Sequence, residues 1–539
     1  MRHDVIFLIM GYVCLAVSLP LLVIGGVSIA LDDLDSALTA FLGPAIFSAI
    51  FGIMCLKLLS TKETPSRLRD KEAIVAVGLS WLLVVLVGAF PYWLGGMFYG
   101  PFVDGASTHQ IIQGFFHSWF ESMSGFTTSG STVIDISSSP ACAVSVDDCI
   151  YAQTKGLLLW RSFTQWLGGM GIIMLGMLIL SRVLGGGMTL ARAELTGPSL
   201  SRLRPQISKT ARDLWLIYIG MTILVFIMLI FTKMDWFDAL NHALTTAPTG
   251  GFSTRDASIA HYDSFAIESI IIFGMFVNGI NYTLLWFLVF EKKFFPMYDD
   301  EEFRTYFVVI MLAFLCIFIA LLSSGLGRAF RDSLFQVVAL GTSSGFASAD
   351  YMQWPVFTQF ILLILFVFGA CAGSTSGGLK ILRGQIATKY ASRELQQLAN
   401  PRKVIAIRMN KDVVAPEAIR MVVGMLIIWI GLVLVSSVFL SLIIPDESFD
   451  SIFSLVVSSL GNVGPAMGDF GPTSTWARIP VSGLLLTSFL MWAGRLELLT
   501  VAIIFHPKTW QIEPGEQRKG LLFGRRKKEY SESKSKKDD

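Results

Sequence analysis

The chain contains a polar, glycine-rich stretch between a short apolar run and a long one, Ser124-Gly125-Phe126-Thr127-Thr128-Ser129-Gly130-Ser131-Thr132. Three later stretches resemble it, each with small or polar residues ending at a glycine: Thr246-Ala247-Pro248-Thr249-Gly250-Gly251-Phe252-Ser253, Gly341-Thr342-Ser343-Ser344-Gly345-Phe346 and Gly461-Asn462-Val463-Gly464-Pro465. A second signal stands about 13 or 14 residues before each glycine: Phe116-His117-Ser118, Phe237-Asp238-Ala239, Arg331-Asp332-Ser333 and Phe449-Asp450-Ser451. This fixed offset predicts a helix-then-loop unit that occurs four times.

The composition is typical of a membrane protein. Hydrophobic residues make up 53% of the chain and charged residues 15%, whereas soluble domains carry about 25% charged residues. Apolar runs of about 20 residues, long enough to cross a hydrocarbon core of roughly 30 Å, recur along the chain. We predict an all-α polytopic membrane protein with ten spans, near residues 5–30, 39–58, 73–98, 154–181, 212–232, 264–290, 304–325, 356–380, 417–444 and 480–505.

Four shorter apolar runs lie between these spans, near residues 110–123, 235–246, 331–341 and 448–460. They are too short to cross a membrane, so we interpret them as re-entrant helices. The expected fold has two extra transmembrane helices followed by four pseudo-repeated helix–pore-loop–helix units around a central pore. The boundaries are 1–72 for the two N-terminal helices, 73–183 for pore repeat 1, 184–211 for a cytoplasmic connection, 212–293 for repeat 2, 294–403 for repeat 3, 404–510 for repeat 4 and 511–539 for a basic cytoplasmic tail.

The net charge is only +2, but the distribution of charge indicates an orientation. Basic residues cluster in alternate connections: Lys57, Lys62, Arg67, Arg69 and Lys71; Arg182, Arg192, Arg202, Arg204, Lys209 and Arg212; Lys292, Lys293 and Arg304; the stretch from Arg383 to Arg420; and Arg525-Arg526-Lys527-Lys528. By the positive-inside rule these connections are cytoplasmic. We expect a multi-pass protein of the cytoplasmic (inner) membrane with both termini in the cytoplasm. The basic tail is expected to contact lipid head groups rather than nucleic acid.

Two of the six cysteines, Cys142 and Cys149, share a segment on the expected outer face. Cysteines outside the cytoplasm can oxidise, so this pair is either a disulfide or two free thiols. The cysteines and the six histidines show no spacing typical of a metal site. We expect no covalently bound cofactor.

The four glycine-rich loops are expected to converge on one aqueous axis, because non-helical backbone at membrane depth must be buried in protein or line water. Carbonyl oxygens from such a ring can replace the hydration shell of a cation, and glycine permits the dihedral angles that turn them inward. We expect the ring at Gly130, Gly251, Gly345 and Gly464, with the negative C-terminal ends of the short helices directed towards it. The alternative is four ordinary turns.

Six motifs occur along the chain in order: Glu121 to Gly130, Trp160 to Gly171, Thr249 to Ser253, Gly369 to Lys380, Asn462 to Pro465 and Gly494 to Glu497. With them the chain resembles the Trk/Ktr/HKT superfamily of potassium transporters, and above all its TrkH-type membrane subunits. In that superfamily glycine at all four filter positions goes with potassium selectivity, so the resemblance implies that potassium is the transported ion. The filter residues it implies are Thr127, Thr128, Ser129, Gly130, Thr249, Gly250, Gly251, Thr342, Ser343, Ser344, Gly345, Asn462, Val463 and Gly464.

The same resemblance implies two partners. One is a second copy of the chain in a homodimer. The other is a cytosolic RCK-type regulatory protein that binds a nucleotide, so a nucleotide would act only through that partner. The connection from Leu184 to Asp213 is expected either to dock this partner or to lie on anionic head groups.

The segment from Ala370 to Lys380 is rich in glycine, serine and threonine, although it falls within an expected span. It is expected to unwind there, and the resemblance implies an intramembrane gate formed by Gly373, Ser374, Thr375, Gly377 and Gly378. A phosphate-binding loop is the alternative, but the segment lacks the required order of glycine, lysine and serine or threonine.

Arg495 is expected well inside the last span, where an unpaired charge is costly. The resemblance places it in the ion path below the filter, as part of the gate. The alternative is a structural ion pair with Glu497 or another carboxylate. Glu121 and Arg161 form a second candidate pair, which we interpret as scaffold.

Three functions are compatible with these features. The first is potassium uptake through a channel-like pore driven by the membrane potential. The second is a symporter that couples potassium or sodium to protons or sodium, which usually needs carboxylates on the path. Only Glu121 and Glu497 are candidates for that role, so we favour the channel-like function. The third is a membrane enzyme, which no catalytic cluster supports.

Overall fold

The computed structural model of this chain describes residues 3–59, 70–142, 147–184, 207–325, 327–410, 412–496 and 498–510. Two helices come first, α1 at His3–Leu31 and α2 at Gly43–Met54. A four-residue helix, Leu34–Ala37, and a π-helical turn, Leu38–Leu42, lead into α2, and a second π-helical turn, Cys55–Leu59, follows it. Small residues let α1 and α2 approach closely, since a β-carbon added to Gly52 would lie 2.9 Å from the carbonyl oxygen of Gly11.

Four units of similar order follow, each with a long helix, a short helix, a loop and a second long helix. The first has α3 Asp70–Leu94, α4 Thr108–Phe126 and α5 Lys155–Leu184; the second has α6 Ile207–Ile230, α7 Trp236–Thr246, α8 Phe265–Asn278 and α9 Tyr282–Phe290. The third has α10 Glu301–Ser323, α11 Ala329–Gly341, α12 Val356–Val367 and α13 Ile381–Ala399; the fourth has α14 Pro416–Ile443, α15 Phe449–Gly461, α16 Val481–Arg495 and α17 Leu498–Phe505.

The remaining elements are small. Two short helices lie at Phe295–Asp299 and Pro507–Trp510, and turns of 3-10 helix occur at Ser258–Tyr262, Tyr351–Gln353 and Gly468–Phe470. An antiparallel hairpin pairs β1 Arg408–Met409 with β2 Asp412–Val413, in the register Arg408 to Val413 and Met409 to Asp412. A small apolar cluster lies apart from the main core. It contains Ile386 of α13, Ile407 and Met409 of the hairpin region and Ile419 of α14.

Six helices in the described residues are long and apolar enough to cross a membrane, and the pair α8 and α9, bent by 102°, is a seventh candidate. The prediction of an all-α polytopic membrane protein is confirmed. The other expected spans are not single straight helices in the structure. The span expected at 356–380 ends as a helix at Val367, and the one expected at 480–505 is divided after Arg495.

The second long helix of every unit is broken. In α5 the break is at Gly171, which has φ 72° and ψ 134°. The second unit breaks between α8 and α9, the third across residues 368–380, and the fourth between α16 and α17. Sequence analysis predicted only the third break as an unwound segment, although it also placed Arg495, at the fourth break, in the gate.

Three of the four short helices have a side-chain cap, and the fourth, α11, follows Arg328, whose side chain makes no capping bond. Ser107 and Gln110 form a capping box at the start of α4, while Asp235 caps α7 and Ser448 caps α15. A cap satisfies backbone N–H groups that have no partner within the helix. The final turns are buried, so each helix runs from a polar start into the protein interior.

Candidate functional site

Each short helix ends in the same hydrogen-bonded turn. The N–H groups of Thr128, Thr249, Ser343 and Asn462 donate to the carbonyl three residues earlier, at 2.9, 3.0, 3.0 and 3.3 Å. The next N–H groups, of Ser129, Gly250, Ser344 and Val463, donate to the carbonyl five residues earlier, at 2.9, 2.9, 2.7 and 3.0 Å. This pair of bonds is the Schellman motif that terminates many helices. The four loops therefore leave their helices along the same path.

The residue that makes the first of these two bonds has a left-handed backbone in every loop, although in none of them is it a glycine. The φ angles are 54° at Thr128, 52° at Thr249, 52° at Ser343 and 51° at Asn462. This conformation is uncommon outside glycine, asparagine and aspartate. The same unusual angle at four equivalent positions supports a shared function for the loops.

The turn also fixes where the carbonyl groups of these residues point. Because a peptide group is planar and trans, its N–H and C=O point in opposite directions. The N–H of Ser129 points back at α4, so the C=O of Thr128 points away from the helix, and the same holds at Thr249, Ser343 and Asn462. All four residues are buried. Within the described part of the chain, no hydrogen bond reaches these four carbonyl oxygens.

The loop glycines contact one another in a closed cycle. A β-carbon added to Gly130 would lie 2.3 Å from the carbonyl oxygen of Gly250, and one added to Gly251 would lie 1.8 Å from that of Ser344. One on Gly345 would lie 2.1 Å from the carbonyl oxygen of Val463, and one on Gly464 would lie 2.6 Å from that of Ser129. The φ angles of the four glycines lie between 73° and 111°. Each loop therefore packs its glycine against the next loop, and the fourth returns to the first.

Side chains join the first and last loops within this cycle. Asn462 donates from Nδ2 to the hydroxyl of Ser129 at 2.9 Å and to the carbonyl of Met491 at 2.9 Å. The hydroxyl of Ser131 donates to the carbonyl of Gly464 at 2.9 Å. The carbonyl of Gly464 therefore already has a protein partner.

Glu121 and Arg161 form the ion pair that sequence analysis expected. Arg161 Nε lies 2.6 Å from Glu121 Oε1, and both side chains are almost completely buried. Arg161 also donates to the carbonyl of Ser253 at 2.7 Å, while Glu121 accepts from the N–H of Val133 at 3.1 Å. The pair thus joins α4 and α5 to the residues that follow the first two filter glycines.

A cavity of about 70 Å³ lies where the broken second helices of all four units meet. Its lining includes Gly169 and Met170 of α5, Tyr282 of α9, Arg495 of α16 and, from the third unit, Gly373, Ser374, Ser376, Gly377 and Gly378. The residues expected to form the gate therefore line the cavity, apart from Thr375. That residue contacts the second filter loop, since its hydroxyl donates to the carbonyl of Ala247 at 3.2 Å.

Two further contacts hold the middle of residues 368–380, which we call the gate loop. The N–H of Gly377 donates to the hydroxyl of Ser343 at 2.6 Å. Arg495 donates from Nη1 to the carbonyl of Thr375 at 2.9 Å and from Nη2 to the carbonyl of Gly168 at 2.7 Å. The middle of the loop is therefore bound to the second and third filter loops and, through Arg495, to α5.

The ends of the gate loop have a separate anchor. Glu302, buried near the start of α10, accepts from the N–H of Ala372 at 2.5 Å and from the N–H of Leu382 at 3.2 Å, both through Oε1. The N–H of Cys371 donates to the carbonyl of Gly279, at 3.1 Å. One carboxylate oxygen therefore binds the chain on both sides of residues 373–378, at Ala372 and at Leu382.

The Cys142–Cys149 pair is joined as a disulfide. The loop it closes is attached to the second unit, because Asp256 accepts from the N–H groups of Cys149 at 2.7 Å and Ile150 at 2.9 Å. Burial raises the pKa of the Asp256 carboxyl; the two N–H groups oppose this effect and the nearby charge of Asp148 adds to it.

Sequence analysis identified the four loops, the gate loop and Arg495, and the structure brings these residues together. Sequence analysis did not assign a role to Gln165, whose amide contacts the second filter loop, or to Glu302, which contacts the gate loop. Glu302 belongs to the run Asp299-Asp300-Glu301-Glu302, which is typical of an exposed helix start. Glu497, the connection across 185–206 and the tail from 511 lie outside the described residues. The pairing of Glu497 with Arg495 therefore stays an untested alternative, and the expected roles of the two segments stay predictions.

Comparison with known proteins gives a consistent result. The family described as TrkH, cation transport protein, matches residues 42–512. The Trk system potassium uptake protein TrkH of Escherichia coli K12 is 33% identical over 455 residues, covering 84% of this chain and 88% of that protein. The protein of the same name from Vibrio parahaemolyticus is 33% identical over 495 residues, covering 90% and 94%.

The fold agrees with these sequence matches. The crystal structure of the potassium transporter TrkH from Vibrio parahaemolyticus superposes with a TM-score of 0.79 at 28% identity, covering 95% of this chain and 100% of that one. The family match extends over most of the chain, and the fold match over nearly all of it. The chain belongs to the TrkH family of cation transport proteins, within the Trk/Ktr/HKT superfamily.

Proposed function

We propose that this chain takes up potassium through a channel-like pore in the cytoplasmic membrane. The observation that carries the proposal is the closed cycle of four filter loops, each with the same turn and the same left-handed residue. The names of the relatives, which are potassium uptake proteins, support potassium as the ion.

The ion would bind to backbone carbonyls. The carbonyls of Thr128, Thr249, Ser343 and Asn462 point away from the short helices and are free within the described residues, so they suit a dehydrated cation. The negative ends of the short helices add to the attraction. No group of three or more His, Cys, Asp or Glu side chains placed to hold a metal occurs among the described residues, which favours carbonyl over carboxylate coordination.

The gate loop would close the path below these carbonyls. Its ends are anchored by Glu302, whereas its middle is held by individual bonds to Ser343 and Arg495 that can break without unfolding a helix. Opening is then a displacement of residues 373–378 into the adjacent cavity. The positive charge of Arg495 raises the barrier to cations while the loop is closed.

The membrane potential would drive uptake, since one charge moving through about 100 mV releases roughly 2.3 kcal/mol. A proton symporter needs carboxylates that can exchange protons along the path. Glu121, one of the two candidates, is held by Arg161 and by the residues after the first filter glycine. Because these bonds occupy the Glu121 carboxylate, they favour the channel-like mechanism over proton symport.

The proposed assembly is a homodimer with both termini in the cytoplasm, regulated by a cytosolic RCK-type nucleotide-binding protein. The gate loop continues directly into α13, a helix of 19 residues with only two of them buried, Ile381 and Ile386. A partner that binds and shifts α13 would therefore move the gate loop through the chain itself. This continuity supports regulation from the cytoplasmic side.

The test is cation flux in proteoliposomes that contain only this chain. Potassium and sodium fluxes are compared under an imposed membrane potential and then with an added pH gradient. We expect potassium flux that follows the potential and does not respond to the pH gradient. Flux that requires a proton or sodium gradient would establish symport instead, and an absence of cation flux from folded protein would refute the proposal.

A further inference from the structure

The side chain of Gln165 contacts the backbone on both sides of the second filter glycine. Its Nε2 donates to the carbonyl of Gly250 at 2.7 Å, and its Oε1 accepts from the N–H of Phe252 at 3.1 Å. The two backbone groups fix the orientation of the amide, because a carbonyl requires the nitrogen and an N–H requires the oxygen. Gln165 is completely buried on α5, one turn after Arg161.

This contact determines the direction of a filter carbonyl. The N–H of Phe252 shares a peptide group with the C=O of Gly251, and the two point in opposite directions. While the N–H of Phe252 is held against Gln165, the carbonyl of Gly251 is held away from it. Gly251 has a φ angle of 79°. Since glycine adopts either sign of φ readily, the local sequence restrains this peptide little, and a contact is needed to hold it.

The contact also explains why the second loop alone has two glycines in succession. A β-carbon added to Gly250 would lie 2.4 Å from Oε1 of Gln165 and 2.5 Å from its Cδ. The equivalent residues of the other loops, Ser129, Ser344 and Val463, all have side chains. In the described part of the chain, no side-chain amide makes such a paired contact with another filter loop, and Pro465 has no N–H to offer in the fourth.

We propose that Gln165 is a specificity-determining residue that positions the Gly251 carbonyl for potassium, without itself contacting the ion. The proposal rests on the proposed potassium function of the filter. With two glycines in succession, the second loop has the least intrinsic rigidity of the four. Gln165, on α5, supplies that rigidity. The Gly250 carbonyl that it binds is also the group against which Gly130 of the first loop packs.

The experiment compares Gln165→Leu with a matched control, Gln336→Leu. Gln336 is also completely buried and also donates to a backbone carbonyl, but that carbonyl belongs to Ala349, four residues beyond the third filter glycine. Potassium-to-sodium flux ratios are measured in proteoliposomes, and the thermal midpoint of each variant is measured in detergent. We expect the ratio of Gln165→Leu to fall by about tenfold, since both bonds are lost and two buried backbone groups are left unpaired.

Gln336→Leu should keep the wild-type ratio within about twofold, even where its thermal midpoint falls, because its bond lies outside the filter. A second variant, Gln165→Glu, keeps an acceptor for the Phe252 N–H and loses the donor to Gly250. Its ratio should lie between those of the wild type and Gln165→Leu. Should Gln165→Leu give too little folded protein for flux, the ratio of Gln165→Glu against the wild type decides alone.

An unchanged ratio in folded Gln165→Leu, or an equal loss in Gln336→Leu, would refute the positioning role. If only Gln165→Glu gives enough folded protein, a potassium-to-sodium flux ratio equal to that of the wild type would also refute the positioning role. If the wild-type protein itself does not prefer potassium, the proposed function fails, and the positioning role fails with it. The wild-type measurement therefore separates the two failures.

Discussion

Replacing Arg495 by alanine is expected to open the pore in the absence of any partner. The guanidinium joins the gate loop, through the carbonyl of Thr375 at 2.9 Å, to α5, through the carbonyl of Gly168 at 2.7 Å. Of these two bonds, the one to Thr375 is lost when the gate loop is displaced, whereas the one to Gly168 is not. A hydrogen bond from a charged group contributes about 1.5 to 3 kcal/mol. Its loss should raise the ratio of open to closed protein by about 10- to 150-fold.

The assay is potassium flux into proteoliposomes under a fixed membrane potential, with protein amount and folding matched by size-exclusion chromatography. Arg495→Lys is the informative control. Lysine keeps the positive charge but lacks the planar fork that reaches two carbonyls on different elements. If the bridge holds the loop, Arg495→Lys should also show raised flux, with a value below that of Arg495→Ala.

Two results would refute this reasoning. Folded Arg495→Ala with wild-type basal flux would mean that the bridge does not hold the loop closed. Wild-type flux in Arg495→Lys together with high flux in Arg495→Ala would mean that charge alone closes the path. In that second case the barrier is electrostatic and the bond to Thr375 is not required.

Three other substitutions test the remaining parts of the site. Gly130→Ser places a β-carbon 2.3 Å from the carbonyl oxygen of Gly250, at a position where Gly130 has a φ angle of 85°. We therefore expect a lower potassium-to-sodium flux ratio. An unchanged ratio would count against the filter assignment. Ser343→Ala leaves the buried N–H of Gly377 unpaired, which destabilises the closed loop by about 1 to 3 kcal/mol. Basal flux should therefore rise by about fivefold or more, while Ser343→Thr, which keeps the hydroxyl, should stay near the wild type. Equal flux in the two variants would exclude this contact from gating. Glu302→Ala removes the acceptor of the Ala372 and Leu382 N–H groups. We expect high basal flux from this variant, which Glu302→Gln should largely avoid because it keeps an acceptor oxygen. Wild-type flux in Glu302→Ala would exclude Glu302 as an anchor.

Local features of the sequence were sufficient to predict the four glycine-rich loops and the unwound segment at residues 370–380. The length of an apolar run reports a span, and the composition of a short polar stretch reports a loop that cannot face lipid. The common offset between the short helices and their glycines identified Gly130, Gly251, Gly345 and Gly464 as equivalent. These inferences need only neighbouring residues, because helix length and turn conformation are set within one or two turns of chain.

Contacts between distant residues were decided by the tertiary structure. Arg495 reaches Thr375 and Gly168, which are 120 and 327 positions away, and nothing near Arg495 in the chain names those partners. Glu302 was missed for a similar reason: its acidic neighbours are typical of a solvated helix start, yet packing buries it against the gate loop.

The sequence alone therefore predicted an all-α membrane protein, the four glycine-rich loops and the family that the motifs resemble. The packing of each glycine against a carbonyl of the next loop, and the support that Gln165 gives to the second loop, depend on how distant segments fold together. The physical reason is that hydrophobicity and backbone conformation are local properties. The partner of a buried polar group depends on which distant element folds against it.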